Sequence, residues 1–279
     1  MKAGVWFYGL GIALTGVLDI AWRQFDASHQ PLQALGKIPG ENIMACAVGV
    51  WLIAAGLALL WRRSAKYGAA ASAAACLTFV ALWLARYYVA IHALGWRIDV
   101  LLGLSFGLSQ QLLLVAPAVI VYVSIASADS RLQTAAAVAA RWMLGLPPIV
   151  FGLLHLMGIR VFASIVPRWI PFGDFWAALT GVAFLLAGLA ICSGIQDVLA
   201  ARLLALMLLL FEGLVEVPPI FVRPHNQAAW GAAVYNLAAI GACWIFAEFR
   251  AGHPRREQID PATDVAGDVD SSRPDPVAV

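Results

Sequence analysis

The chain has 279 residues, of which 62% are hydrophobic and only 12% are charged, and its mean hydropathy is +0.83. Soluble domains carry about 25% charged residues, so this composition excludes a soluble globular protein and predicts a protein that spans a membrane several times. The formal net charge is +2. The basic residues behind it are dispersed along the chain, which argues against nucleic-acid binding.

Eight apolar runs are each long enough to cross a bilayer, which takes about 20 helical residues. The charges lie mostly between these runs, as expected for loops. The fold class is therefore predicted to be all-α, a polytopic membrane protein with about eight transmembrane helices. The predicted spans are about 4–22, 42–61, 68–93, 99–126, 137–159, 174–193, 198–222 and 228–249.

The two halves of the chain share a pattern that indicates an internal repeat. Gly49–Ala58 and Gly181–Ala190 are identical at six of ten positions. Two further matches keep the same order along the chain, and they pair Gly9 and Gly16 with Gly145 and Gly152, and Ile38-Pro39 with Ile170-Pro171. With four spans in each copy, the copies insert in the same direction, so this is a parallel repeat. The pattern predicts two tandem four-helix bundles.

The domain boundaries follow from this repeat. We place the first membrane repeat at 1–130 and the second at 131–249. The remaining residues, 250–279, are rich in Pro, Asp, Ser and Arg and poor in apolar residues, which predicts a disordered cytoplasmic tail.

The distribution of Lys and Arg predicts the orientation in the membrane. Eleven lie on the side of the N-terminus and six on the other side, when Arg86 within a span is left out. Since basic residues are enriched in cytoplasmic loops, both termini are expected in the cytoplasm, with the chain in the inner (plasma) membrane. The first apolar run contains Asp19 and matches an internal segment, so we interpret it as a retained span and not a signal peptide.

Two longer connections, 23–41 and 160–173, fall on the non-cytoplasmic side. They are amphipathic and bounded by prolines, which is typical of segments that lie in the headgroup layer. Pro147-Pro148 and Pro218-Pro219 are expected to bend spans five and seven, because proline lacks the N–H that a helix needs.

Ionisable and amide side chains inside the spans are costly in a membrane, so each needs an explanation. Nearly all of them fall in the half of the membrane away from the termini, and Glu212 and Glu216 share one helix face. We expect them to form a polar pocket where the two copies meet, open to the outer leaflet or to the periplasmic face. The candidate pocket residues are Asp19, Arg86, Gln110, His155, Glu212, Glu216 and Asn236.

Two interpretations of these residues stay open. In the structural one, Arg86 pairs with Asp19 or a glutamate to hold the helices together, and His155 bonds to a neighbouring span. In the functional one, the pocket binds a small headgroup such as that of a quinol. His155 or a carboxylate then accepts a proton while Arg86 holds an oxygen. Haem ligation by His92 and His155 has less support, since no second histidine pair lies within the spans. No metal-binding spacing is present.

The segment around His155 resembles the DoxX-like family of four-helix membrane proteins. That family has a gly-x-x-his pattern, a short amphipathic stretch ending in val-pro-x-trp-x-pro, and a helix with spaced glycines. The matching residues are Gly152, His155, Val166-Pro167, Trp169, Pro171, Gly181 and Gly188. The second half carries this resemblance directly. The first half carries it only through the repeat, where Asp19 takes the place of the histidine.

The resemblance implies a redox-associated role, because the family is named after a subunit of a thiosulfate:quinone oxidoreductase. A quinone ligand and an oxidoreductase partner protein are therefore expected. Two other functions stay open: a non-catalytic scaffold that holds a partner protein at the membrane, and a small-solute or proton-coupled transporter. Whether the chain is an enzyme, and which residues would be catalytic, is left open by the sequence.

Overall fold

The computed structural model describes residues 2–25, 40–126 and 129–252. These ranges form helices joined by short connections and contain no strand. Eight of the resulting segments are long and apolar enough to cross a membrane, which confirms the predicted all-α polytopic fold. The helices are α1 Lys2–Trp22, α2 Glu41–Leu60, α3 Ala65–Leu94, α4 Ile98–Ala126, α5 Ser130–Met157, α6 Ile159–Ala163, α7 Gly173–Ser193, α8 Asp197–Phe211, α9 Pro218–Val222 and α10 Gln227–Gly252.

Seven of the eight predicted spans agree with the observed helices to within three residues at both ends. The fifth begins at Ser130 and not near 137. The side chain of Asp129 caps this helix, because its Oδ1 accepts the backbone N–H of Arg131 at 2.8 Å. The first turns of α5 are polar, so hydropathy alone does not detect them. Most of the connection predicted at 23–41, and the tail beyond Gly252, lie outside the described residues.

Glycine pairs bring the first two long helices of each half into close contact. In the first half, a Cβ on Gly16 would lie 2.3 Å from the carbonyl oxygen of Gly49. In the second, a Cβ on Gly152 would lie 2.6 Å from the carbonyl oxygen of Gly181. Small residues let helix backbones approach this closely in membranes. Seven residues away along each helix, about two turns, similar contacts join Gly9 to Gly56 and Gly145 to Gly188.

The contacts in the two halves involve positions that the repeat matches, Gly16 with Gly152 and Gly49 with Gly181. The packing of α1 on α2 therefore resembles that of α5 on α7, with matched glycines at the same contacts. The division of the chain at 130 stays a prediction, because the two halves share one continuous apolar core.

The halves are interleaved through their last helices. α1 packs along α10, where a Cβ on Gly11 would lie 2.6 Å from the Cβ of Ala238. α4 packs correspondingly along α5, and α4 and α10 touch each other. The first helix of each half thus packs on the last helix of the other. α10 is accordingly the most enclosed of the eight described spans, with 72% of its most apolar stretch buried.

α1 and α10 run antiparallel, because Gly4 lies against Ile245 and Gly11 against Ala238. The start of α1 and the end of α10 therefore lie on the same face of the molecule. We call the opposite face, where α1, α3 and α5 end, the distal face. That the termini lie in the cytoplasm stays a prediction.

Span seven changes its helix geometry close to the distal face. The backbone N–H of Val217 donates to the carbonyl of Glu212 at 3.0 Å. This five-residue spacing makes Glu212–Glu216 a π-helical turn. Pro218 and Pro219 then begin α9. The irregularity lies where the sequence predicts a bend, whereas α5 continues through Pro147 and Pro148.

Candidate functional site

A cavity of about 710 Å³ lies near the distal face of the second half. Its volume falls within the roughly 300–1,000 Å³ typical of small-molecule sites. α4, α5, α7, α8, the π-helical turn and α10 contribute its walls. Further lining residues come from α6 (Phe162) and from the connection between α6 and α7 (Ile165, Val166, Pro167 and Ile170). Most of the surrounding side chains are apolar, and the polar ones are few.

His155 lies in the last turn of α5 and lines this cavity. Its Nδ1 lies 2.8 Å from the carbonyl oxygen of Phe151. A carbonyl can only accept, so Nδ1 carries the hydrogen and Nε2 of the neutral ring is an acceptor. The ring stacks on Phe162, with centroids 3.7 Å apart and an angle of 17° between the planes. The hydrogen bond and the stacking together fix the orientation of the imidazole.

A chain of aromatic contacts supports the histidine from the interior. Phe184 of α7 lies 5.3 Å from the His155 ring and 5.9 Å from that of Phe151, measured between centroids. It also contacts Phe211 at 6.1 Å, and Phe151 contacts Phe106 of α4 at 5.3 Å. Tilted and edge-to-face pairs of this kind are favourable. One apolar wall therefore extends over four helices.

Asn236 connects α10 to span seven at the edge of the cavity. Its Nδ2 donates to the carbonyl of Leu208 at 2.8 Å and to Oε2 of Glu212 at 2.9 Å. Both amide hydrogens are thereby used, and Oδ1 keeps its acceptor capacity. The side chain is buried, so this bond holds the Glu212 carboxylate against α10.

The π-helical turn adds further acceptors to the wall. Glu216 lines the cavity together with Leu214. The residues four and five positions after Leu214 are Pro218 and Pro219, which have no N–H to donate to its carbonyl. π-Helical turns are frequent at functional sites. Here the turn contains the Glu216 carboxylate and the Leu214 carbonyl, for which the helix offers no N–H four or five residues on.

Four of the seven candidate residues line the cavity: Gln110, His155, Glu216 and Asn236. Glu212 joins them through its bond to Asn236. Asp19 and Arg86 are not among the lining residues. Asp19 is fully buried in α1, and the Arg86 guanidinium lies 5.0 Å from the centre of the Trp83 ring, one turn back on α3. The cavity therefore brings together Gln110 and the four candidate residues of the second half.

His92, weighed in the sequence as a second histidine for haem, is exposed on α3. Its Nδ1 donates to the carbonyl of Tyr88 at 2.8 Å. It does not line the cavity that contains His155. The two histidines therefore do not face one another across that cavity.

The aromatic residues of the wall were not among the candidates. An aromatic residue within an apolar run is indistinguishable in sequence from one that faces lipid or core. One usable signal was present for Phe151, because it precedes His155 by four residues and so shares its helix face. For Phe106, Phe184 and Phe211 only the packing of the helices reveals the role.

Comparison of the chain with protein-family models, with curated proteins and with solved structures finds no match. The similarity of the His155 segment to DoxX-like proteins thus stays an expectation from its motif.

Proposed function

We propose that this integral membrane protein binds a quinol, or a molecule with a similarly small headgroup, in the cavity beside His155. The observation that supports this most directly is the combination of an apolar cavity of about 710 Å³ with a histidine and a carboxylate in its wall. Small-molecule sites characteristically combine apolar walls with a few convergent polar groups.

The headgroup hydroxyls meet acceptors on two elements. One hydroxyl donates to Nε2 of His155, which is the acceptor because Nδ1 donates to Phe151. The other donates to Glu216 or to the carbonyl of Leu214, both at the π-helical turn. Imidazole and carboxylate are also the groups that accept a proton when a quinol is oxidised. The site is thus suited to the reduced, proton-donating form of the ligand.

The ring of the headgroup fits the aromatic wall. Phe151, Phe184 and Phe211 form a connected set of ring contacts and all three line the cavity. Aromatic rings pair favourably in tilted and offset arrangements. Transfer of a ring from lipid into this wall therefore exchanges apolar contacts for directional ones.

We further propose that the protein is the membrane subunit of an oxidoreductase, with a partner protein that exchanges electrons with the quinone or quinol bound here. This part of the proposal rests on the DoxX-like motif that surrounds His155, from Gly152 to Gly188. Two alternatives are separated by the experiment. The protein could be a scaffold that binds a partner while its own cavity stays empty, or a transporter of a small solute.

The experiment measures equilibrium binding of ubiquinol and menaquinol analogues to the protein in lipid nanodiscs. The variant is His155→Ala, and the matched control is His92→Ala, which removes an exposed histidine with the same kind of backbone hydrogen bond. A hydrogen bond contributes about 0.5–1.5 kcal/mol, so we expect His155→Ala to weaken binding by between about twofold and tenfold. His92→Ala should bind as the wild type does.

Absence of saturable binding to the wild type would refute the proposal, as would equal losses in both variants. Partner capture without any quinol binding would favour the scaffold. Solute uptake into proteoliposomes that His155→Ala abolishes would favour the transporter.

A further inference from the structure

α7 and span seven line the cavity only with their distal parts. The lining residues of α7 fall within 176–184, and those of span seven within 207–216. At the other end, a turn of three residues, 194–196, joins the two helices directly. The helices are therefore held together at this turn, and an opening between them can lie only nearer the distal face.

The lining residues include leucines that are also exposed on the outer surface. Leu179 of α7 is 46% exposed and Leu210 of α8 is 54% exposed, and both line the cavity. Leu214, one turn beyond Leu210, lines it as well and is 38% exposed. In a chain that spans a membrane, such surfaces face lipid. The cavity wall is thus continuous with the lipid-facing surface between the two helices.

On α7 this gap lies at about the depth of His155, because a Cβ on Gly181, two residues after Leu179, would lie 3.0 Å from the Cβ of His155. Leu210 precedes Glu216 by six residues, which corresponds to about 9 Å along a helix. The side chains of Leu179 and Leu210 offer no hydrogen bond, whereas His155 and Glu216 do. A molecule in the cavity therefore has its polar group at His155 and Glu216 and any apolar part toward the gap.

We propose that the gap between α7 and α8, bordered by Leu179 and Leu210, is a lateral entrance from the lipid. The occupant is a membrane-borne molecule whose apolar chain stays in the gap while its polar head lies at His155 and Glu216. This inference rests on the proposed function, and it specifies the ligand class as one that carries a long alkyl or isoprenoid chain.

The test compares two quinols with the same head, one with a decyl chain and one without a chain, by equilibrium binding in nanodiscs. The variant Leu179→Trp/Leu210→Trp narrows the gap. The control Leu186→Trp/Leu203→Trp places the same side chains on the same helices at exposed positions, 63% and 55%, that do not line the cavity. Because all four positions are exposed, no buried packing is disturbed, and thermal unfolding of each variant verifies this.

We expect the gap variant to bind the decyl quinol about tenfold or more weakly, a loss of at least about 1.4 kcal/mol, and the chainless quinol as the wild type does. The control should bind both normally. Equal binding of the decyl quinol by gap variant and control would overturn the lateral entrance alone. So would a wild-type affinity that does not depend on the chain. If the wild type binds neither quinol, the proposed function fails and this inference fails with it.

Discussion

Gly152→Ala tests the close contact that positions the cavity. The new Cβ would lie 2.6 Å from the carbonyl oxygen of Gly181 and 2.6 Å from Cγ of Leu185, which is 0.8 Å short of the 3.4 Å at which ordinary contact begins. Since one obstacle is backbone, α5 and α7 must move apart. Overpacking of this kind costs about 1–3 kcal/mol, and the higher helix propensity of alanine returns about 1 kcal/mol. We expect a net loss of up to about 2 kcal/mol.

The same substitution in the first half separates stability from function. A Cβ on Gly16 would lie 2.3 Å from the Gly49 carbonyl, so Gly16→Ala should destabilise the protein at least as much. Only Gly152→Ala moves the helices that carry His155 and Phe184. It alone should weaken quinol binding, while Gly16→Ala should leave the affinity of the folded protein unchanged.

The assay is reversible unfolding in mixed micelles together with the binding measurement described above. Gly103→Ala serves as the control, because no atom lies within 4 Å of its new Cβ and alanine should stabilise α4 slightly. If Gly152→Ala proves as stable as Gly103→Ala, close backbone approach is not what joins α5 to α7, and the reasoning fails.

Two further substitutions test polar contacts between helices. Asp197→Asn leaves Arg250, its partner at 2.7 Å in a largely buried ion pair, without a counter-charge. We expect the free energy of unfolding to fall by up to about 3–5 kcal/mol and to recover in part in Asp197→Asn/Arg250→Gln. An unfolding curve of the single variant identical to that of the wild type would contradict this. Tyr8→Phe removes the 2.8 Å bond to the carbonyl of Leu114 and should cost about 1 kcal/mol in the same assay, whereas Tyr67→Phe, at an exposed position, should cost nothing measurable.

The spans were predictable because hydropathy and length depend on each segment alone. A run of apolar residues must form a helix in lipid, where no other partner satisfies the backbone. The glycine spacing that reveals the repeat also carries physical information, since Gly16 and Gly152 prove to be contact points. Local signals thus gave both the elements and the closest pairs.

The partners of the ionisable groups were not predictable to the same degree. Depth along a span follows from the sequence, and depth alone places Arg86 and His155 in the same half of the membrane. Which helix faces which depends on packing between distant segments. The last helix of the first half, α4, packs on α5 of the second half. This packing puts Gln110 of α4 beside the cavity, while Arg86 lies over Trp83 on α3.

The two halves share the same glycine-mediated helix packing but differ at the residue that lines the cavity in the second half. Asp19 and His155 are matched by the repeat; Asp19 is fully buried in the core, whereas His155 lines the cavity. Contacts between backbones constrain the matched glycines, because any side chain there forces the helices apart. No such constraint acts on the residue at a cavity wall. The wall nevertheless needs both halves, because Phe106 and Gln110 come from α4. The second half by itself therefore lacks one side of the site, and the cavity depends on the way the two halves interleave.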